Sequence, residues 1–396
     1  MWRRSLSSFG FSGQALHSCF FPRTSVCTRP FATSMKEKVV SVLYKGGAAG
    51  RENKRILGCV ENELGLRSFV ESKGAEFVVT SSKDYPNSTL DKHLPDATVV
   101  ISQPFWPAYI TAERVAKAPN LKLAITAGVG SDHVDLAAAC EKNITVAEVT
   151  GSNVVSVAEH VVMMILSLVR NYLPSHEIAT SGGWDIAECA SRAYDLEDKH
   201  VGTVAVGRIG HRVLKRLVPF DVHLHYFDPF KRLSPEDEKA LNVTYHATLE
   251  SMLAVCDVIT INAPLHPMTE NLFDSAMIAK CKKGVYIVNT ARGKIVNAQA
   301  MADAVAAGHV AGYAGDVWFP QPPPKDHPWR TMQWNGMTPH YSGTTLDAQA
   351  RYAAGTKEIL ENYFDGKPQR QEYLIVDAGK IVSPAYTKGN TTTGAK

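Results

Sequence analysis

The chain reads as an α/β protein built from two Rossmann-like, doubly wound parallel-sheet domains with the active site in the cleft between them. Three observations predict this. Short apolar runs alternate with helical stretches in two successive series, the second series opens on a glycine-containing strand-to-helix turn, and 396 residues exceed what one compact domain ordinarily holds.

The first series begins after Lys38 with a β-rich run over residues 39–43 that Gly46 and Gly47 end. Further apolar runs follow at residues 77–79, 98–101 and 121–125, with helical stretches such as 111–117 between them. A long helix is expected over residues 154–170, and the polar stretch Ser181-Gly182-Gly183-Trp184 after it suggests a passage between domains. The second series starts at His200, with strands expected near 201–206, 222–226, 258–261 and 285–288. Residues 319–324 contain four prolines, so they are expected to form a loop. Residues 387–396 have no apolar period and are expected to be a flexible tail.

Composition narrows the function classes. Lys and Arg number 42 against 39 Asp and Glu, and a net charge of +3 is too small to imply a nucleic-acid partner. The most apolar stretch, 154–169, carries Glu159 and His160 and ends at Arg170, so no membrane partner is expected. A small-molecule ligand is expected instead. The seven cysteines have no paired metal spacing, and no metal is expected. From Met1 to Met35 there is no acidic residue, while Arg3, Arg4, Arg23 and Arg29 are interleaved with serines and phenylalanines. That is transit-peptide composition, which predicts a leader over residues 1–34 and a mitochondrial address, with chloroplast or cytoplasm as the alternatives.

Residues 201–206 read as a buried strand, and Gly207-Arg208-Ile209-Gly210 opens the helix after it. The arrangement resembles the Rossmann dinucleotide fingerprint, with Ala205 in place of the first glycine. Gly207 lets the backbone approach a pyrophosphate, Gly210 lets helix and strand pack closely, and the helix N-terminus offers N–H groups to phosphates. Asp228 closes the next strand, 228 − 207 = 21 residues past Gly207. A carboxylate at this spacing accepts from ribose hydroxyls and repels a 2′-phosphate, which favours NAD, although Lys231 and Arg232 lie close by.

Arg292, in Asn289-Thr290-Ala291-Arg292-Gly293, follows the strand at 285–288 and should project from the carboxyl end of the sheet, able to clamp a carboxylate. A structural ion pair on a surface turn is the alternative. Asp316 follows another apolar run, either against a nicotinamide carboxamide or as a turn cap, and His340 sits in a loop of small and turn residues between Pro339 and Gly343.

These segments together resemble the D-2-hydroxyacid dehydrogenase superfamily. Within it, Pro104-Phe105-Trp106-Pro107, the run from Thr126 to Asp135, Asp316-Val317-Trp318-Phe319-Pro320-Gln321-Pro322 and the run from Pro339 to Thr345 are similar to the NAD-dependent formate dehydrogenases. The resemblance implies that Arg292 and Asn153 hold the two formate oxygens, with His340 and Gln321 as a polar wall and Pro104, Phe105 and Val129 as an apolar pocket. For NAD it implies Gly207, Arg208, Ile209 and Gly210 at the pyrophosphate and Asp228 at the adenosine ribose. Pro264, His266, Thr290, Asp316, Ser342 and Gly343 would surround the nicotinamide half. It also implies a homodimer and a discontinuous substrate domain, residues 35–153 plus 341–386, around an NAD-binding domain of residues 154–340.

One departure from the wider superfamily is itself mechanistic. Reducing a 2-oxo acid needs a proton from a histidine whose charge a glutamate supports, and here Gln321 stands in the stretch where that glutamate falls. An amide orients an imidazole but does not stabilise imidazolium as a carboxylate does. Formate oxidation needs no proton transfer. The alternatives are a D-2-hydroxyacid dehydrogenase or glyoxylate reductase on the same scaffold, and a non-catalytic NAD-sensing interaction protein.

Overall fold

The structure, a computed structural model, describes residues 36–387. The leader expected over 1–34 lies outside the described residues, as does the expected tail beyond Thr387, which itself ends the short helix Pro384–Thr387.

The described strands form two seven-stranded sheets. The first holds β1 (Lys38–Val42), β2 (Glu76–Thr80), β3 (Val99–Ser102), β4 (Leu123–Thr126) and β5 (Thr145–Glu148). The second holds β6 (His200–Val204), β7 (His223–Phe227), β8 (Val243–Tyr245), β9 (Val258–Ile261), β10 (Val285–Asn289), β11 (Val310–Gly315) and β12 (Asn335–Met337). The chain then returns to the first sheet as β13 (Leu374–Asp377) and β14 (Lys380–Ile381), with β13 antiparallel to β5. The second sheet is parallel throughout, in the order β12-β11-β10-β9-β6-β7-β8.

Strands such as β1 (KVVSV) and β9 (VITI) are buried along their whole length, because apolar layers cover both faces of each sheet. On the second sheet, Val201, Tyr226 and Val288 pack with Val157, Val161 and Ile165 of the helix Val154–Val169. That helix therefore lies on the second sheet, and the chain passes between the sheets at residues 149–153. The stretch at Ser181–Trp184, which the sequence suggested for the passage, only separates two short helices, Tyr172–Thr180 and Ile186–Ala190. Its polarity marks exposure, not a change of sheet.

In the second sheet β6 lies between β7 and β9, and in the first β1 lies between β2 and β3. The order runs outward in both directions from these strands, so a crevice opens at each carboxyl edge, where doubly wound sheets take ligands.

Across β6, β7 and the end of β8 runs a chain of imidazoles. His200 Nδ1 lies 2.8 Å from His225 Nε2, and His225 Nδ1 lies 2.9 Å from His246 Nε2. The Ser251 hydroxyl donates to the Thr248 carbonyl, so it accepts from His246 Nδ1, and each ring in the chain donates through Nδ1 to the next acceptor. Burial, reinforced by His246, His200 and His223, pushes His225 down to about 4. Because the unfolded value is higher, the folded state binds fewer protons. This contribution to stability is complete above about pH 6.5 and is lost as pH falls toward 4. The melting temperature should therefore drop between about pH 7.5 and about pH 5, and His225→Gln should shrink that drop; an unchanged pH dependence in the variant would remove this account.

Candidate active site

The carboxyl edges of the two sheets face one cavity of about 460 Å³. The first sheet contributes Pro104 and Phe105 after β3, Val129 and Asp132 after β4, and Asn153 beyond β5. The second contributes Gly207, Arg208 and Ile209 after β6, Asn262 and Pro264 after β9, Thr290 and Arg292 after β10, and His340, Ser342 and Gly343 after β12. Of the site residues expected from sequence, Gln321, Gly210, Asp228, His266 and Asp316 do not line this cavity.

Arg292 is held from three sides. Its Nε donates to Asp132 Oδ1 at 2.7 Å, Nη1 donates to the Ala291 carbonyl at 2.7 Å, and Nη2 makes only a long 3.4 Å contact with the Val129 carbonyl. Burial works against both charges, but Arg292 with His133 outweighs it for Asp132, and Asp132 with Tyr386 and Glu148 outweighs it for Arg292, so Asp132 is held below the usual carboxylate range and Arg292 above its ordinary value. A Cβ on Gly130 would lie 1.5 Å from Nη2, so the guanidinium occupies space that only a glycine at 130 leaves. The Gly130 N–H donates to Glu148, whose carboxyl is itself pushed upward by burial.

The His340 ring is fixed through an amide. Gln321 Nε2 donates to the carbonyls of Phe105 (3.0 Å) and Pro104 (3.3 Å), which turns its Oε1 toward His340 Nδ1 at 2.9 Å. Nδ1 therefore bears the hydrogen, and the neutral ring has no proton to give from Nε2. Burial pushes His340 down to about 4. Asp316 is fully buried beneath this loop and accepts from the Thr338 hydroxyl and from the N–H groups of Tyr341 and Ser342. It is the floor on which His340 and Ser342 rest.

At the glycine turn, Gly207 is the N-cap of the helix Arg208–Leu217, and a Cβ there would meet nothing. A Cβ on Gly210 would come within 2.2 Å of the Ala205 carbonyl, which accounts for that glycine by packing alone. Strand β6 ends at Val204, two residues earlier than the pattern suggested, because Ala205 turns the chain with φ +70°. Asp228 accepts from the N–H groups of Val206, Phe230 and Lys231, and Arg232 is drawn aside to Glu238. His266 Nδ1 accepts from the Met268 N–H in the turn after β9.

A family model described as "D-isomer specific 2-hydroxyacid dehydrogenase, NAD binding domain" matches residues 162–342. The chain is 64% identical over 345 residues to formate dehydrogenase of Pseudomonas sp. (strain 101), covering 86% of each protein. The chain belongs to the formate dehydrogenase family. It is also 52% identical to "Formate dehydrogenase 2, mitochondrial" of Oryza sativa subsp. japonica, over 97% of this chain and 99% of that one. Among solved structures, the NAD-dependent formate dehydrogenase from Staphylococcus aureus in complex with NAD superposes with a TM-score of 0.80 at 49% identity, over 86% of this chain and 99% of that one.

The residues present fit the NAD of this formate dehydrogenase family. Thr290 Oγ1 and Asn262 Oδ1 are buried at the cavity wall without a hydrogen-bond partner, and open space faces Gly207 at the helix N-terminus. Asn262, Asp132 and Glu148 were missed from sequence. Asp132 meets Arg292 across 160 positions of chain, a pairing that no local pattern carries.

The alanine in the glycine fingerprint has a measurable consequence. A left-handed L-residue costs roughly 1–2 kcal/mol, and glycine's extra unfolded-state freedom offsets roughly 0.5–1 kcal/mol of any relief. Ala205→Gly should leave stability unchanged or slightly higher, whereas the β-branched Ala205→Val should lower it by about 1–2 kcal/mol. Chemical denaturation checks this, and a glycine variant less stable than the valine variant would contradict it.

Proposed function

We propose that this protein oxidises formate to carbon dioxide by direct hydride transfer to NAD, with Arg292 and Asn153 holding the carboxylate and His340 and Gln321 forming the polar wall beside it. The observation that carries the reading is the His340–Gln321 pair: a neutral imidazole, hydrogen-bonded to an amide, in the cavity that Arg292 also lines. A hydroxyacid dehydrogenase needs an acid at this place. Formate oxidation needs only orientation, since the hydride leaves carbon and no proton moves.

Arg292 spends Nε and part of Nη1 on protein acceptors and keeps Nη2 for an anion. Asn153 adds a carboxamide whose Oδ1 is buried and unpartnered. Pro104, Phe105 and Val129 narrow the space around the carbon and exclude water and larger acids. When bound, the nicotinamide ring supplies the carbon that accepts the hydride. Gly207, Arg208, Ile209 and Gly210 would receive the pyrophosphate, Asp228 the adenosine ribose, and Pro264, His266, Thr290, Asp316, Ser342 and Gly343 the nicotinamide half, some of them through the loops they fix. We assign residues 35–153 plus 341–386 as the substrate domain and 154–340 as the NAD-binding domain.

A homodimer is supported by the exposed apolar side chains of residues 154–190, where Trp184 is 87% and Ile186 70% exposed and Met163, Tyr172 and Leu173 are exposed as well. A mitochondrial address is supported by the composition of residues 1–34 and by the name of the Oryza sativa relative.

The decisive assay follows the reduced-nicotinamide band with formate and NAD. Arg292→Ala should cut kcat/KM for formate by about 10²-fold or more, because it removes the anion's main partner and leaves Asp132 buried alone. No signal with formate, but NADH oxidation by glyoxylate, would replace this reading with the hydroxyacid one. The pH profile tests the amide separately. With His340 at about 4, kcat should stay level as pH falls through the ordinary histidine range. Gln321→Glu should lift the imidazole pKa and create an acid limb below about pH 7. A level profile in that variant would show that Gln321 does not set the ring's charge.

A further inference from the structure

Asn153 flanks the helix Val154–Val169 at its N-cap, yet its side chain makes no cap bond to that helix and its Oδ1 is buried without a partner. An asparagine at this position ordinarily spends its oxygen on a backbone N–H of the first turn. The carboxamide is thus left available to the cavity, and something other than its own helix must fix where it points.

Arg351 supplies that constraint from outside the cavity. Its Nε donates to the Ser152 carbonyl at 2.6 Å and its Nη2 to Ser156 Oγ at 3.1 Å. Ser156 Oγ lies 2.9 Å from Thr345 Oγ1, and Thr345 is the N-cap of the helix Leu346–Phe364 that carries Arg351. Asn153 lies between the two acceptors in sequence, so one planar fork brackets it. A Cβ on Gly343 would come within 2.9 Å of Asn153 Nδ2, so the returning chain closes the remaining side. The helix bearing Arg351 packs on the first sheet through Tyr352, Ala353 and Ile359, and the helix bearing Ser156 packs on the second. The guanidinium therefore ties together the two places where the chain passes between sheets. The protein acceptors of Arg351 are these two neutral oxygens, and the two-nitrogen geometry that reaches both suits Arg and not Lys.

We propose that Arg351 is a positioning residue: by clasping Ser152 and Ser156 across the two crossovers, it sets the Asn153 carboxamide against the carboxylate that Arg292 holds. The proposal rests on the formate reading and adds a residue remote from the substrate.

Steady-state kinetics on the unmodified protein, Arg351→Ala, Arg351→Lys, Asn153→Ala and the double alanine variant test it. Arg351→Ala should raise KM for formate about tenfold, equivalent to about 1.4 kcal/mol, while KM for NAD stays within about twofold. Arg351→Lys, with a single nitrogen in place of a two-nitrogen fork, should recover part of the loss. On the Asn153→Ala background the Arg351→Ala change should move KM for formate by less than about twofold, because the clasp then has no carboxamide to set. A full tenfold effect on that background, or a lowered melting temperature with KM for formate unmoved, would overturn the clasp. No formate turnover by the unmodified protein would overturn the formate reading itself, and the clasp with it.

Discussion

Keeping one guanidinium charged and aimed inside a crevice walled by two sheets is the constraint on which the rest of the site depends. Arg292 comes from the carboxyl end of β10 and its partner Asp132 from the carboxyl end of β4, so the ion pair joins the two sheets as well as two charges. A buried pair of this kind adds little net stability, because desolvation consumes much of the Coulomb attraction, but removing one member strands the other. The pair is better understood as a device for placement. Asp132 takes Nε, the Ala291 carbonyl takes part of Nη1, and Nη2 has only a long contact with the Val129 carbonyl.

Placement on this scale demands that backbone come close. The guanidinium lies where a side chain at 130 would be, and the Asn153 carboxamide lies where one at 343 would press. The loop bearing His340 is likewise built around a group that never reaches the cavity surface: Asp316 gathers one hydroxyl and two backbone N–H groups, and His340 takes up a left-handed backbone with φ +57° above it. Strained backbone of this sort persists where surrounding bonds over-determine it. Arg292 and the His340 loop are thus each fixed by a carboxylate, Asp132 for the one and Asp316 for the other.

The alternation of apolar runs and helices was legible because the central strands are buried on both faces and so carry a continuous apolar signature, as in β9 and β10. Residues at the ends of such strands were legible for the same reason: once β10 is recognised, Arg292 has to sit at its carboxyl edge. What escaped was either short or non-local. Strands β8, β12 and β14 have three, three and two residues, too few for a period to show. Composition pointed to the polar stretch 181–184 for the passage between sheets, when the chain crosses at 149–153, between a strand and an apolar helix, where only the family resemblance had put the boundary. Asp228 was legible by its spacing, but not its three backbone partners, which make it a pin of the turn.

The charge state of the cavity connects these local arrangements to the choice of reaction. Arg292 and Asp132 cancel, His340 is neutral, and the buried Glu148 carboxyl is pushed toward its protonated form, so the protein offers formate a weakly charged surrounding. A fully exposed positive charge would bind the anion well and hold it back, because the interaction is lost when carbon dioxide forms; binding ground state and transition state alike adds nothing to kcat. A compensated guanidinium orients the carboxylate without over-stabilising it, and loss of the substrate's charge becomes favourable in a site with little water. A carboxylate at position 321 would break this balance by stabilising an imidazolium beside the anion, as a proton-donating reductase requires. Gln321 puts an amide where a carboxylate would charge the ring, and its hydrogen bonds to Pro104 and Phe105 keep its oxygen, not its nitrogen, against His340.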